Sequence, residues 1–153
     1  MAATTFDGLD AVRAAVGTHL GFSDWTVVTQ ERVNQFADAT GDHPWIHVDV
    51  ERAKAESPFG GPIAHGYLTL ALSNELLPQI IEVQGISMGV NYGADKVRFP
   101  SPVPVGSRVR AGAELLEVTE VNGGIQTLVR ITIEVDGAPK PACVIDSLSR
   151  YLA

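Results

Sequence analysis

A chain of 153 residues, 45% of them hydrophobic and 19% charged, has the composition of one folded domain of ordinary size, not of a disordered segment. A net charge of −7 without a Lys/Arg cluster argues against a general nucleic-acid surface, while leaving room for a small basic site for a phosphorylated ligand. The single cysteine, Cys143, excludes a disulfide within the chain and fits a reducing, cytoplasmic setting; its neighbours Ala142 and Val144 predict a buried thiol.

Residues 1–5 read as a loose tail. Phe6, Leu9, Val12, Ala15 and Val16 recur at helical spacing, so residues 1–22 are expected to form a peripheral helix that Gly21 stops. Residues 23–153 then carry the core. Asp24 to Thr29 suits a short strand. Thr29 is a helix N-cap residue, and Gly41 offers the left-handed conformation that ends the helix. A loop over 41–48 follows. Asp49 caps a second short helix, which Ser57-Pro58 ends.

Ile63, Ala64, Tyr67, Leu68, Leu70, Leu72, Leu76 and Leu77 cover nearly every face of the next segment, which predicts a buried central helix from Ile63 to about Leu77. The apolar-rich stretch that continues to Ile81 is interrupted by His65, Thr69, Ser73, Asn74 and Glu75, and is too polar to span a membrane. After Gly85 the pattern is β. A strand over 86–99 breaks near Gly93, and Asn122-Gly123-Gly124 marks a hairpin between two alternating runs. A last strand covers 142–152. Helices segregated from hairpin-linked strands argue an α+β class.

The loop holds Asp42 and His47, five residues apart. An imidazole and a carboxylate sharing one water can move protons at neutral pH. Polar residues after Gly41 also serve turns, so the spacing by itself leaves a purely structural role open. His43 raises a metal alternative with Asp42 and His47, but side chains adjacent in sequence usually diverge, and no metal is expected. His65-Gly66 opens the apolar helix. There the Gly66 N–H lacks a helical acceptor and could bind an oxyanion. Ser73 and Asn74 are a polar pair in an apolar helix. They either cap the inner end of a substrate pocket or bond to nearby backbone. No P-loop, dinucleotide fingerprint or G-x-S-x-G motif is present.

Three signatures in order carry a resemblance. The segment from Phe36 to His47, with Thr40-Gly41-Asp42, is similar to the hydratase motif of MaoC-like dehydratases, which include R-specific enoyl-CoA hydratases. Pro62-Ile63-Ala64-His65-Gly66 resembles that family's lead into its central helix, and Val97-Arg98-Phe99-Pro100-Ser101-Pro102-Val103 its strand-and-turn signature. DHPWIHVD, NYGADKVRFPSPVPVGSRVR and KPAC resemble the NodN-like branch, which includes mycobacterial enoyl-CoA hydratases. The resemblance implies a hot-dog fold, a curved antiparallel sheet wrapped around a long helix, and a homodimer. It implies a lyase of fatty acid metabolism that reversibly hydrates trans-2-enoyl-CoA to (3R)-hydroxyacyl-CoA, acting on acyl-CoA or acyl-carrier thioesters without a cofactor. Asp42 and His47 would activate the water, and the Gly66 N–H would bond the thioester oxygen. Two departures stand out. Pro44 and Trp45 occupy positions where the broader motif has Asn-Pro, and Asn74 aligns where R-hydratases can carry a helical serine. Rival expectations are a hot-dog acyl-CoA thioesterase and a non-catalytic acyl-thioester binding protein.

Overall fold

The computed structural model describes residues 2–153. The N-terminal segment departs from the expected peripheral helix. It contains strand β1 (Thr4–Asp7), a helix α1 of only six residues (Leu9–Ala14) and strand β2 (His19–Phe22). Gly8 and Gly17, both at φ 86°, bracket α1 in a conformation that other residues rarely adopt, so the helical spacing cannot extend through them. Phe6 and Leu20, two apolar residues of that stretch, are buried from strands instead.

The expected strand over 24–29 shrinks to β3 (Thr26–Val27), because Thr29 caps α2 (Gln30–Thr40) by accepting from the Arg32 N–H at 3.1 Å. Gly41 closes α2 at φ 76°, as its sequence position predicted. The loop over 41–48 contains an unforeseen turn of helix, α3 (Trp45–Val48). Asp49 caps α4 (Val50–Glu56) through the Arg52 N–H at 3.1 Å.

The central helix starts later than its apolar pattern suggested. Pro62, Ile63 and Ala64 are extended and bridge to the segment at 103–105: Val105 donates to Pro62 O, Ala64 donates to Val103 O, and Ile63 pairs with Pro104. Helical backbone begins at Gly66 and continues as α5 (Gly66–Ala71), α6 (Ser73–Leu76) and a 3₁₀ turn (Leu77–Gln79). Leu68, Leu72, Leu76 and Ile80 form its buried stripe, whereas Tyr67 is 71% exposed. The helix is therefore not buried all round.

A short strand β4 (Ile81–Gln84) pairs in parallel with β1. The remaining strands are β5 (Met88–Arg98), β6 (Arg108–Val121), β7 (Gly124–Val135) and β8 (Cys143–Leu152). They form an antiparallel sheet in the order β2-β6-β7-β8-β5, with β3 also on β6. The sequence hairpin is β6–β7, and β5 is irregular between Asn91 and Gly93 as Gly93 predicted. Alternation in β7 buries Ile125, Thr127, Val129, Ile131, Ile133 and Val135 against the helical stripe. Cys143 is fully buried, and loss of solvation raises its thiol pKa to about 11. Arg108 and Arg110 pair with Asp136 and Glu134 and lie over the Trp25 ring.

Candidate active site

The α2–α3 corner and the extended lead into α5 bring the loop to the helix start. Gln30 of α2 donates through Nε2 to the His47 carbonyl at 2.8 Å, and the Ile63 N–H donates to the Ile46 carbonyl at 3.1 Å. These bonds clamp α3 from both sides. Pro44 takes the N-cap position of α3, where a missing N–H costs nothing. Trp45 stacks under the Arg52 guanidinium at 4.4 Å, so its bulk goes to a contact with α4. This accounts for the loop's departure from the broader motif.

Within this frame His47 is half-buried and Asp42 exposed, and a third residue joins them. His65, taken from the sequence only as part of the helix start, is 3% exposed. Its ring stacks on that of His47, with centroids 4.0 Å apart and an interplanar angle of 24°. Asp42, His47 and His65 each contribute an atom to a group in which all lie within 4.8 Å of one another. His43 points elsewhere and meets Asp38 at 2.9 Å, so the metal trio considered from sequence is not assembled.

The backbone partners decide the tautomers, because a carbonyl oxygen can only accept. His47 therefore donates through Nδ1–H to Ile63 O at 2.7 Å, leaving Nε2 with a free lone pair. His65 donates through Nε2–H to Asp42 O at 3.0 Å. Burial lowers the His47 pKa from its ordinary value; the Ile63 bond opposes this, His65 lowers it further and Asp42 raises it. His47 is thus a neutral base at pH 7. His65 has its Nε2 occupied and its Nδ1 buried, so only Asp42 and His47 present free donor atoms to a common ion. That falls short of the three or four protein ligands of a zinc site, and the set fits proton transfer better.

Gly66 is the first residue of α5 and is exposed. A Cβ there would lie 3.4 Å from the Phe99 ring, so the absence of a side chain keeps this approach open. Tyr67, next in sequence, lines a cleft of about 520 Å³ between the helix and strands β5 and β8. Ser73 and Asn74 line the same cleft, with Leu70, Leu77 and Ile145. The structure therefore divides the five residues expected from sequence: Asp42 and His47 lie at the helix start, Ser73 and Asn74 in the cleft, and Gly66 between them. His65 and Gln30 were not foreseen. Their partners are 23 and 17 residues away in sequence, beyond the reach of local spacing. The available signal was a titratable residue at the mouth of an apolar helix.

A family described as MaoC like domain matches residues 11–136. 3-Hydroxyacyl-thioester dehydratase Z of Mycobacterium tuberculosis (strain ATCC 25618 / H37Rv) is 55% identical over 150 residues, covering 97% of this chain and 99% of that protein. Nodulation protein N of Rhizobium meliloti (strain 1021) is 47% identical over 139 residues, covering 88% and 84%. Among solved structures, the (R)-hydratase from A. caviae superposes with a TM-score of 0.72 at 25% identity, covering 88% of this chain and 94% of that one. The antiparallel sheet packed on one helix is thus the hot-dog arrangement anticipated above, and the chain belongs to the MaoC-like dehydratase family.

Proposed function

We propose that the protein reversibly adds water across a trans-2-enoyl thioester to give the (3R)-3-hydroxyacyl thioester. The observation that carries this reading is the neutral His47, with its free Nε2 lone pair, beside the Asp42 carboxylate at the mouth of α5. Asp42 accepts one hydrogen of the water and orients it. His47 Nε2 takes the other proton as the water oxygen bonds to C3. The electron pair of the C2–C3 double bond moves toward the thioester carbonyl, and the Gly66 N–H meets the oxyanion that develops. A proton taken up at C2 balances the one released from water. No change in oxidation state is required of a cofactor, and the proposed reaction uses none.

The cleft bordered by Tyr67, Ser73 and Asn74 takes the acyl chain in this reading. The likeness to a 3-hydroxyacyl-thioester dehydratase and to an (R)-hydratase supports the reaction class and its stereochemistry. A homodimer is part of the same proposal. Among the described residues β5 ends the sheet and pairs only with β8, and Met88, Val90 and Tyr92 along it are exposed. An unpaired apolar edge of this kind is the natural site for a second copy.

The test is loss of the enoyl-thioester absorbance of crotonyl-CoA. Asp42→Asn and His47→Gln are each expected to lower the rate by about 10²–10⁴-fold in a folded protein. Wild-type activity in Asp42→Asn would sink the mechanism. Release of free thiol from a saturated acyl-CoA would instead identify a thioesterase, and ligand-induced stabilisation without turnover a binding protein.

A further inference from the structure

His65 is the most constrained polar side chain near the site, yet no step above uses it. It is 3% exposed. It lies between two rings, Phe36 at 4.9 Å and His47 at 4.0 Å between centroids. Its Nε2–H is held by the Asp42 carbonyl at 3.0 Å. Its Nδ1 is buried and has no hydrogen-bond partner among the described residues. Such an orphaned acceptor costs free energy that an apolar side chain of similar size would avoid. A core residue selected for packing alone would carry no such penalty.

We infer that His65 is a positioning residue for the Asp42/His47 pair. It is held in the neutral Nε2–H tautomer so that one imidazole fixes the Asp42 backbone by a hydrogen bond and the His47 ring by face contact. Both actions come from the same rigid plane. The Asp42 backbone lies in a loop after Gly41, and its own N–H makes only a long bond, 3.4 Å, to Thr40 Oγ1. Without the His65 bond, the carboxylate that orients the water hangs on a turn with no other close anchor among its recorded hydrogen bonds. The His47 ring is fixed in direction by Ile63 O, but that one bond leaves its tilt free. The stack on His65 restricts the tilt. In this proposal His65 acts through its two neighbours, Asp42 and His47.

This rests on the hydratase reading, and two variants separate its two actions. His65→Gln can return an N–H toward the Asp42 carbonyl but loses the ring. His65→Phe keeps a ring against His47 but loses the donor. With crotonyl-CoA, both variants are expected to lower kcat by about 10- to 100-fold while KM stays within about twofold, as misplaced catalytic groups do. His65→Ala, which loses both actions, is expected to fall below either. Equal kcat in wild type and His65→Phe, or a loss confined to KM, overturns the proposal. A readout free of turnover uses the wild-type protein. In long-range ¹H–¹⁵N spectra at mildly alkaline pH His65 is expected to show the Nε2–H tautomer. His47 is expected to show the opposite tautomer. A His65 that shows Nδ1–H instead overturns the proposal even if the variants fail to fold. Wild-type protein with these spectra and no hydratase activity would refute the hydratase reading and leave the positioning geometry standing.

Discussion

At the scale of single residues, the proposed chemistry turns on which nitrogen of each histidine carries the proton. Donation from His47 Nδ1 to Ile63 O frees Nε2 as a base, and burial keeps the ring neutral by lowering its pKa. The acid limb of kcat/KM is therefore expected below the ordinary imidazole value of about 6.5. The same shift links to stability. Between the lowered native pKa and the unfolded value of about 6.5, the unfolded chain binds more protons, so stability rises with pH through that window. The His47 contribution is complete above it and is lost as pH falls toward the native pKa. Rate profiles and urea midpoints between about pH 5 and 8 check both statements. His43→Gln serves as a control: its ring is exposed and its pKa is raised by Asp38, so removing it should leave the acid limb in place. The closeness of Asp42 and His47 was legible in sequence because both lie in one loop. His65 was not, because its role exists only once the start of α5 meets that loop. Pro44 and Trp45, puzzling as sequence, become ordinary once α3 supplies an N-cap and α4 supplies Arg52.

At the scale of elements, the helix that opens at Gly66 both organises the core and presents the site. Its buried stripe packs on β6 and β7, and Leu76 in that stripe is fully buried. Leu76→Ala is expected to cost about 2–5 kcal/mol, measured by urea denaturation, with the spread set by how far the cavity collapses. The late strands were legible because period-two alternation and Asn-Gly turns are local signals. The N-terminal segment was not. Its apolar spacing matched a helix, but two glycines at positive φ cut that spacing, and the pairing partners of β1 and β2 lie in β4 and β6, far along the chain. The start of the central helix was misjudged for the same kind of reason. Ile63 and Ala64 have helical spacing, yet the Ala64 N–H is taken by Val103 O and the Ile63 N–H by Ile46 O, which holds them extended.

At the scale of the whole molecule, five of the exposed large apolar residues fall in two groups. Met88, Val90 and Tyr92 lie on β5, and Tyr67 and Phe99 sit near the start of α5 with ring centroids 6.2 Å apart. The proposed dimer would cover the β5 edge. Val90→Lys combined with Tyr92→Lys is expected to shift the protein from dimer to monomer at micromolar concentration, as read by analytical ultracentrifugation. An unchanged sedimentation coefficient would place the interface elsewhere. No helix is long and apolar enough to cross a membrane among the described residues.

The strand order has a consequence for biosynthesis. β5 finds its place in the sheet only through β8, which bonds to β7 on its other side. β8 leaves the ribosome after β5, β6 and β7. While the β6–β7 hairpin can already form, β5 must wait as an unpaired strand carrying Met88, Val90 and Tyr92. The interval between synthesis of β5 and arrival of β8 is thus when the nascent chain is most open to chaperone capture or misassociation.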